Sequence, residues 1–363
     1  MSFRSNDDIK AVVQATVSLG DIDNVSVTAP ADRDVLTWDA TSSSWAPQAV
    51  TAWPSSTGAD YAGTPYEQAL VAAANGNLIL SPSGDGAIIA QVPNGTAAGG
   101  NTRGQYATDW QRNRFVANQV AQNSGSTLKG GRNNYINSFY GTVGGGTGNQ
   151  DPGGSLSVVA GGRGNNANDG YGTISGGRQN ITIGDDSTIG GGYRNGATDY
   201  SAVVGGAFSN PSHYGEVAHS LGSFSFNPAQ HCRMILRCQT TNATTTELSA
   251  NGGPPGTSPS LRFGLASNTA YKFKIDLVAR ESATNDTAWW EISGAIRKGS
   301  FSLATSLVGS LSTNTGSTAG ASTWAVSVTS ATTGNGALLI SVTGQAGKTI
   351  RWVASLHATR ITG

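Results

Sequence analysis

Apolar and polar positions alternate with a fixed long period in the middle of the chain. Six ten-residue stretches follow one another there: GSTLKGGRNN, YGTVGGGTGN, LSVVAGGRGN, YGTISGGRQN, DSTIGGGYRN and SAVVGGAFSN. Each carries one Leu or β-branched position (Leu128, Val143, Val159, Ile174, Ile189, Val204), then glycines, then a closing asparagine. The asparagines are Asn134, Asn149, Asn165, Asn180, Asn195 and Asn210, whose numbers rise by 15, 16, 15, 15 and 15. This period is too short for a helical repeat or a propeller blade. It fits one turn of a parallel β-helix or β-roll: strand, corner, strand, corner. Successive rungs stack roughly 4.8 Å apart, so six rungs span about 29 Å. Glycine at the corners adopts crowded or left-handed backbone without a Cβ clash. Asn tolerates the left-handed region, and a column of Asn side chains can hydrogen-bond from rung to rung.

The flanks read differently. To about residue 55 the chain is short and extended. VLTWDATSSSWAPQAV predicts a β-hairpin carrying Leu36, Trp38 and Trp45, with a turn through Asp39, Thr41 and three serines. YEQALVAAANG, stopped by Gly76, predicts a short helix. Residues 82–125 hold a short apolar strand, Ala87 to Val92, and then a mixed run with Trp110, Phe115, Val116, Val120, Arg112 and Arg114 that fits neither period. Residues 210–230 read as a degenerate last rung and a cap, because an open parallel ladder invites aggregation. Beyond 230 the glycines thin out and seven or eight short strands alternate with turns. KFKIDLVARE puts Phe273, Ile275 and Leu277 on one face and Lys272, Lys274 and Asp276 on the other. This predicts a β-sandwich or jelly-roll-like domain.

Composition sharpens this picture. Of 363 residues 50 are Gly and only 12% are charged, against the usual shares of about 7% and about 25%. A core with one apolar residue per side of each rung is thin, and glycine raises the entropy cost of ordering it. Packing three such columns together supplies the missing burial, so the sequence predicts a homotrimer. Lys plus Arg equals Asp plus Glu at 22 each, which disfavours a nucleic-acid binder. The balance is uneven along the chain: residues 1–60 hold 3 basic and 8 acidic side chains (net −5), and residues 226–363 hold 11 and 5 (net +6). An elongated particle with different tasks at its two ends can use such a gradient. No apolar run of about 18 residues occurs, and MSFRSNDDIK lacks the apolar stretch of a signal peptide, so neither membrane insertion nor export is expected. Cys232 and Cys238 share a strand face and are expected to be buried thiols.

Candidate chemistry is sparse. No GxSxG, HExxH, CxxC or Walker-type loop occurs, and the glycine runs do not open a helix after a strand. No cofactor, metal or catalytic set is assigned from sequence, and the chain is not expected to be an enzyme. His213, Glu216 and His219 are metal-ligand types but are expected to pack in a rung or at a subunit seam. A carboxylate pair for polysaccharide cleavage would come from Asp151, Asp169, Asp185, Asp186 and Asp199, which read instead as solvated turn residues. Trp289 and Trp290, adjacent on a strand, face opposite ways, and an exposed indole suits a sugar ring. They are the expected receptor contacts.

The G-rich rungs resemble the β-roll heads of trimeric YadA-like adhesins, although those rungs are usually one position shorter. The order of segments resembles bacteriophage tail fibres. DRDVLTWDATSSSWAPQ is similar to the module by which such fibres attach to a tail. AAGGNTRGQYATDWQRNRFVANQVAQNSGSTLKGGRNN is similar to the lead into a fibre β-roll, and HYGEVAHSLGSFS to its closing segment. The self-cleaving chaperone domain that ends many relatives is not recognisable in the chain's last residues, IRWVASLHATRITG. The resemblance implies an all-β, elongated homotrimer located in the virion tail fibre. Its parts would be an attachment module over residues 1–55, a linker and shaft over 56–124, a parallel β-roll over 125–225 and an antiparallel β-sandwich over 226–363. The N-terminus would dock on a tail or baseplate protein through Leu36, Trp38 and Trp45. The C-terminus would meet a host surface glycan or outer-membrane component, without nucleic acid or membrane insertion. A structural collar protein and a polysaccharide-degrading tailspike are the alternatives.

Overall fold

The computed structural model describes residues 34–39, 44–49, 86–224, 227–255, 260–300, 304–331 and 336–363. Two units divide the chain, residues 1–78 and 79–363. In the first, Asp34–Asp39 and Ser44–Ala49 pair antiparallel with Trp38 opposite Trp45 and Leu36 opposite Pro47. The turn between them and the helix expected before Gly76 lie outside the described residues.

The second unit begins as a parallel β-solenoid of two-residue strands. On one face, Thr127–Leu128, Thr142–Val143, Val158–Val159, Thr173–Ile174 and Thr188–Ile189 pair in register and lead into Ala202–Ala207. On the other, Tyr135–Ile136, Gln150–Asp151, Asn166–Ala167, Ile181–Thr182 and Gly196–Ala197 do the same. One residue per strand points inward. Leu128, Val143, Val159, Ile174 and Ile189 face Ile136, Asp151, Ala167, Thr182 and Ala197, all fully buried. Parallel pairing starts well before residue 125: Ile88–Ile89 pairs Thr108–Asp109, which pairs Thr127–Leu128. These two rungs are longer than the rest, running from Ile88 to Thr108 and from Thr108 to Thr127, which hides them from a search for one fixed period. At the inward position of the second, Asp109 replaces an aliphatic residue and is held by Arg103 Nε at 2.8 Å.

The asparagines form a buried column. Each Oδ1 accepts the backbone N–H of the next rung's residue: Asn134 from Asn149 (2.9 Å), Asn149 from Asn165, Asn165 from Asn180 and Asn180 from Asn195 (3.0 Å each). Each Nδ2 donates to the first glycine carbonyl of its own corner, as Asn165 does to Gly161 at 2.8 Å. Gln111 starts the column by accepting from Asn134 N at 2.7 Å. Ser209, not Asn210, ends it: Asn195 Oδ1 accepts from Ser209 N at 2.9 Å, while Asn210 is exposed. Val204 is likewise displaced, being exposed while Val203 takes the inner position. The cause is a shortened last rung, in which Thr188 pairs Ala202, one position short of the usual step.

The solenoid face runs without a break into an antiparallel sheet. After Ala202–Ala207 come Val217–Phe224, Asn227–Thr240, Ile350–Thr362, Thr269–Glu281, Thr287–Lys298 and Thr305–Ser317, so that one sheet has 14 strands. A smaller sheet of Thr246–Glu247, Phe263–Gly264, Ala325–Ser330 and Ala337–Thr343 contributes to the same core. Trp352 lies at its centre, with Trp290 and Trp324 at ring-centroid distances of 5.7 and 5.8 Å. Phe273, Ile275 and Leu277 are buried here, as are the free thiols of Cys232 and Cys238. No α-helix occurs among the described residues; Ala319–Ala321 forms a 3-10 turn.

Solenoid and sandwich share a buried polar joint. His213 Nδ1 lies 2.6 Å from Glu216 Oε2, and His213 Nε2 lies 2.7 Å from the Gly264 carbonyl in the small sheet. Gln230 Nε2 and the backbone N–H groups of Ser212 and His213 also donate to Glu216. Burial alone would lower the His213 pKa, but the Glu216 charge and these hydrogen bonds outweigh it and raise it. Burial would raise that of Glu216, but His213 and the donors hold it below the ordinary range. Both ring nitrogens are thus engaged within the fold, and His219 is exposed on the neighbouring strand.

Candidate functional site

Where the second solenoid strand turns back to the first, each rung places one residue in the left-handed region. The row is Tyr106, Gly125, Tyr140, Leu156, Tyr171, Asp186, Tyr200 and Gly215, with φ between 55° and 68°. Glycine is the natural occupant. Tyrosine stands there four times, with about half of its surface or more exposed: Tyr106, Tyr140, Tyr171 and Tyr200. Backbone geometry of this kind costs roughly 1–3 kcal/mol per residue. Gly125 leaves the room in which the Tyr140 ring lies, since a Cβ there would run into it. Tyr200 stacks on Tyr214 with centroids 4.5 Å apart. Tyr214 and then the charges of Asp186 and Asp185 raise the Tyr200 pKa.

The carboxylates gather at the same corner. Asp185, Asp186 and Asp199 are exposed, and Asp185 Oδ1 accepts from Gly170 N at 3.2 Å. Asp169 and Asp151 are not solvated turn residues, which corrects the expectation from sequence. Asp151 occupies an inward strand position, fully buried, where its Oδ1 accepts from Ser157 Oγ at 2.6 Å and its Oδ2 from Ser138 Oγ. Burial pushes its pKa up to about 6 against the pull of these two hydroxyls. Both oxygens of Asp169 are shielded from solvent. Burial raises its pKa to about 6 against the Thr182 hydroxyl, with the negative charges of Asp185, Asp199 and Asp151 adding to the rise. Gly172 permits this packing, because a Cβ there would stand 2.7 Å from both Asp169 Oδ1 and Thr182 Oγ1. The corner therefore combines a carboxyl group that holds its proton to about pH 6, three exposed aspartates and flat aromatic faces. Carboxyl pairs held in different protonation states are what acid–base cleavage of a glycosidic bond uses.

The other residues singled out from sequence fall elsewhere. Trp290 is 8% exposed and packs on Trp352, so it is a core residue and not a receptor contact. Trp289 is 47% exposed on the outer face of the large sheet, with its indole over Gly316, where a Cβ would lie 2.6 Å from Nε1. Val278 and Val353 continue its row across the sheet. The tyrosine row escaped the sequence reading, although Tyr140, Tyr171 and Tyr200 hold the first position of their rungs once the rungs are aligned on their glycine pairs.

No family model matches the chain, and no curated protein matches it. Among solved structures it is similar to a tailspike protein of Acinetobacter baumannii bacteriophage Fri1, described as a capsular polysaccharide depolymerase. The TM-score is 0.19 at 9% identity, over 70% of this chain and 51% of that one. A tailspike of Acinetobacter baumannii phage AM24 gives 0.18 at 9% identity, over 72% and 54%. The chain spans about half the length of these structures, and at such scores the likeness assigns no role to any residue. One expectation is nonetheless corrected. The expectation from sequence that the chain is not an enzyme runs against the name of one of these tailspikes, a capsular polysaccharide depolymerase.

Proposed function

We propose that the chain is a phage tailspike-like protein that binds a host surface polysaccharide and cleaves it at the aspartate–tyrosine corner. The observation that carries this reading is Asp169: a shielded carboxyl raised to about 6, amid exposed aspartates, on a row of exposed tyrosines. The proposed reaction requires the polymer to uncover the shielded Asp169 carboxyl, which then gives its proton to the glycosidic oxygen as the bond to the anomeric carbon breaks. Water supplies the hydroxyl to that carbon and yields its proton to a neighbouring aspartate acting as base, Asp185 or Asp199. The tyrosines offer their faces to successive sugars. The thin solenoid core favours assembly of three copies, and the hairpin carrying Leu36, Trp38 and Trp45 is the proposed attachment to a tail or baseplate protein. Trp289, exposed on the large sheet, remains a proposed secondary receptor contact.

The test is release of reducing ends from purified bacterial surface polysaccharides by the full chain and by Asp169→Asn. Shortening by the parent protein with at least a hundredfold loss in the variant supports the reading. Equal activity of the two overturns the role of Asp169, and intact polymers throughout overturn cleavage.

A further inference from the structure

Exposed charges of opposite sign occupy different corners of the solenoid. The exposed aspartates lie at the tyrosine corner; the exposed cations lie after the glycine pairs. There the backbone bridges Asn113, Arg132, Thr147, Arg163, Arg178 and Tyr193 in parallel, one residue per rung. Arg163 and Arg178 are direct partners, roughly 4.8 Å apart along the axis. Like charges placed so are repulsive. Arg112 and Lys129 stand in the first rungs outside this bridged column, and all five cations are exposed. Among the described residues no carboxylate lies within 4.0 Å of Arg112, Lys129, Arg132, Arg163 or Arg178. Aromatic rings stand among them: Arg178 lies 4.3 Å from the Tyr193 ring centre, and Arg132 5.8 Å from that of Phe115, which is 71% exposed.

Beside this ridge runs a strip without side chains. Gly145, Gly176, Gly191 and Gly205 have φ from 134° to 157°, which only glycine adopts readily. At each of them, and at Gly161, a Cβ would meet nothing within 4 Å. An open backbone floor thus lies along a row of cations that lack an anionic partner among the described residues.

We propose that this ridge binds a single strand of acidic polysaccharide laid along the solenoid axis. The inference deepens the polysaccharide reading above and rests on it, since it gives that polymer a negative charge. Guanidinium groups pair with carboxylates in two-point fashion, and the rings take sugar faces. The spacing disfavours nucleic acid: duplex DNA carries one charge per about 1.7 Å, far denser than a column in which three of the six bridged positions above are arginine. A linear polyuronate, with one carboxylate per sugar on one strand, matches the ridge better.

The test is binding of oligogalacturonate to the full chain carrying Asp169→Asn, at several salt concentrations, with dextran and oligothymidylate as comparisons. Arg163→Gln/Arg178→Gln is expected to weaken binding at least tenfold at low salt. It is also expected to reduce the slope of log affinity against log salt by about 1.4, two charges' worth on a single strand. Arg163→Lys/Arg178→Lys is expected to keep the slope. Both changes are at exposed positions, and an unchanged melting temperature verifies the fold. The proposal is overturned by no measurable binding of oligogalacturonate, by an unchanged slope in the Gln variant, by equal binding of dextran, or by tighter binding of oligothymidylate. Cleavage of a neutral polymer by the parent protein is read separately, so failure of the ridge leaves the reading of the tyrosine corner standing or falling on its own result.

Discussion

Asp151→Asn is expected to make the protein more stable, and more so at high pH. Asp151 is an inward residue of the solenoid, fully buried, with two serine hydroxyls as its partners. Its pKa is raised from an ordinary 3.8 to about 6 because burial penalises the charged form. A carboxyl group with a raised folded-state pKa stabilises the fold while it is protonated. That contribution shrinks as the pH rises from the unfolded value through the folded one. Over the full interval the linkage amounts to about 3 kcal/mol, and about 2 kcal/mol of it falls between pH 4.5 and pH 8. Asn keeps the shape, offers an acceptor and a donor to the two hydroxyls, and carries no charge at any pH. Urea unfolding of both proteins at pH 4.5 and pH 8 measures the difference. The variant is expected to gain about 2 kcal/mol on the parent in going from the lower to the higher pH. An offset equal at the two pH values, or one that favours the parent at pH 8, refutes the argument that the solenoid interior holds a carboxyl group against its charge.

Asn165→Ala removes an acceptor from Asn180 N and a donor to Gly161, both inside the column. It is expected to cost about 3 kcal/mol in the same unfolding assay, whereas Asn210→Ala is expected to stay within about 0.5 kcal/mol. His213→Ala leaves the Glu216 carboxylate buried without its cation and is expected to cost about 3 kcal/mol or more near pH 6. The His213 pKa is raised from 6.5, so its stabilisation is complete below that value and fades as pH climbs through the raised one. The gap between parent and variant should therefore narrow in alkaline buffer. Glu216, with its pKa lowered from 4.5, loses its contribution on the acid side as pH falls through the lowered value. Gly172→Ala pushes a methyl against Asp169 and Thr182 and is expected to lower polysaccharide cleavage at least tenfold with little loss of fold.

The solenoid was legible because stacking forces each rung to repeat the same inward residue, glycine pair and asparagine. The last rung shows the limit of reading a period from one marker. Counting to Asn210 misplaces it and Val204 by one position, whereas Gly205 and Gly206, which precede Ser209 as every earlier pair precedes its asparagine, hold the true register. The two first rungs were illegible as rungs since their corners are extended and the inward position of the second is the ion-paired Asp109. The alternation in KFKIDLVARE gave the faces of its strand, but continuity of that sheet with the solenoid depends on long-range pairing that leaves no local mark. Part of the candidate corner was visible as aspartates in turns. Their burial was not, because neither Asp151 on its two-residue strand nor Asp169 in the bend before Gly170 carries a local mark of facing inward.

The proposed cleavage turns on Asp169 as the proton donor, and the rate of polysaccharide cleavage as a function of pH tests that role most directly. With a carboxyl group raised to about 6, kcat/KM for the parent protein should fall with rising pH through that value, as the acid loses its proton. Asp169→Asn should lack that limb and retain at most about a hundredth of the activity. A parent rate that climbs steadily through pH 8, or a variant whose profile overlays the parent's, contradicts it.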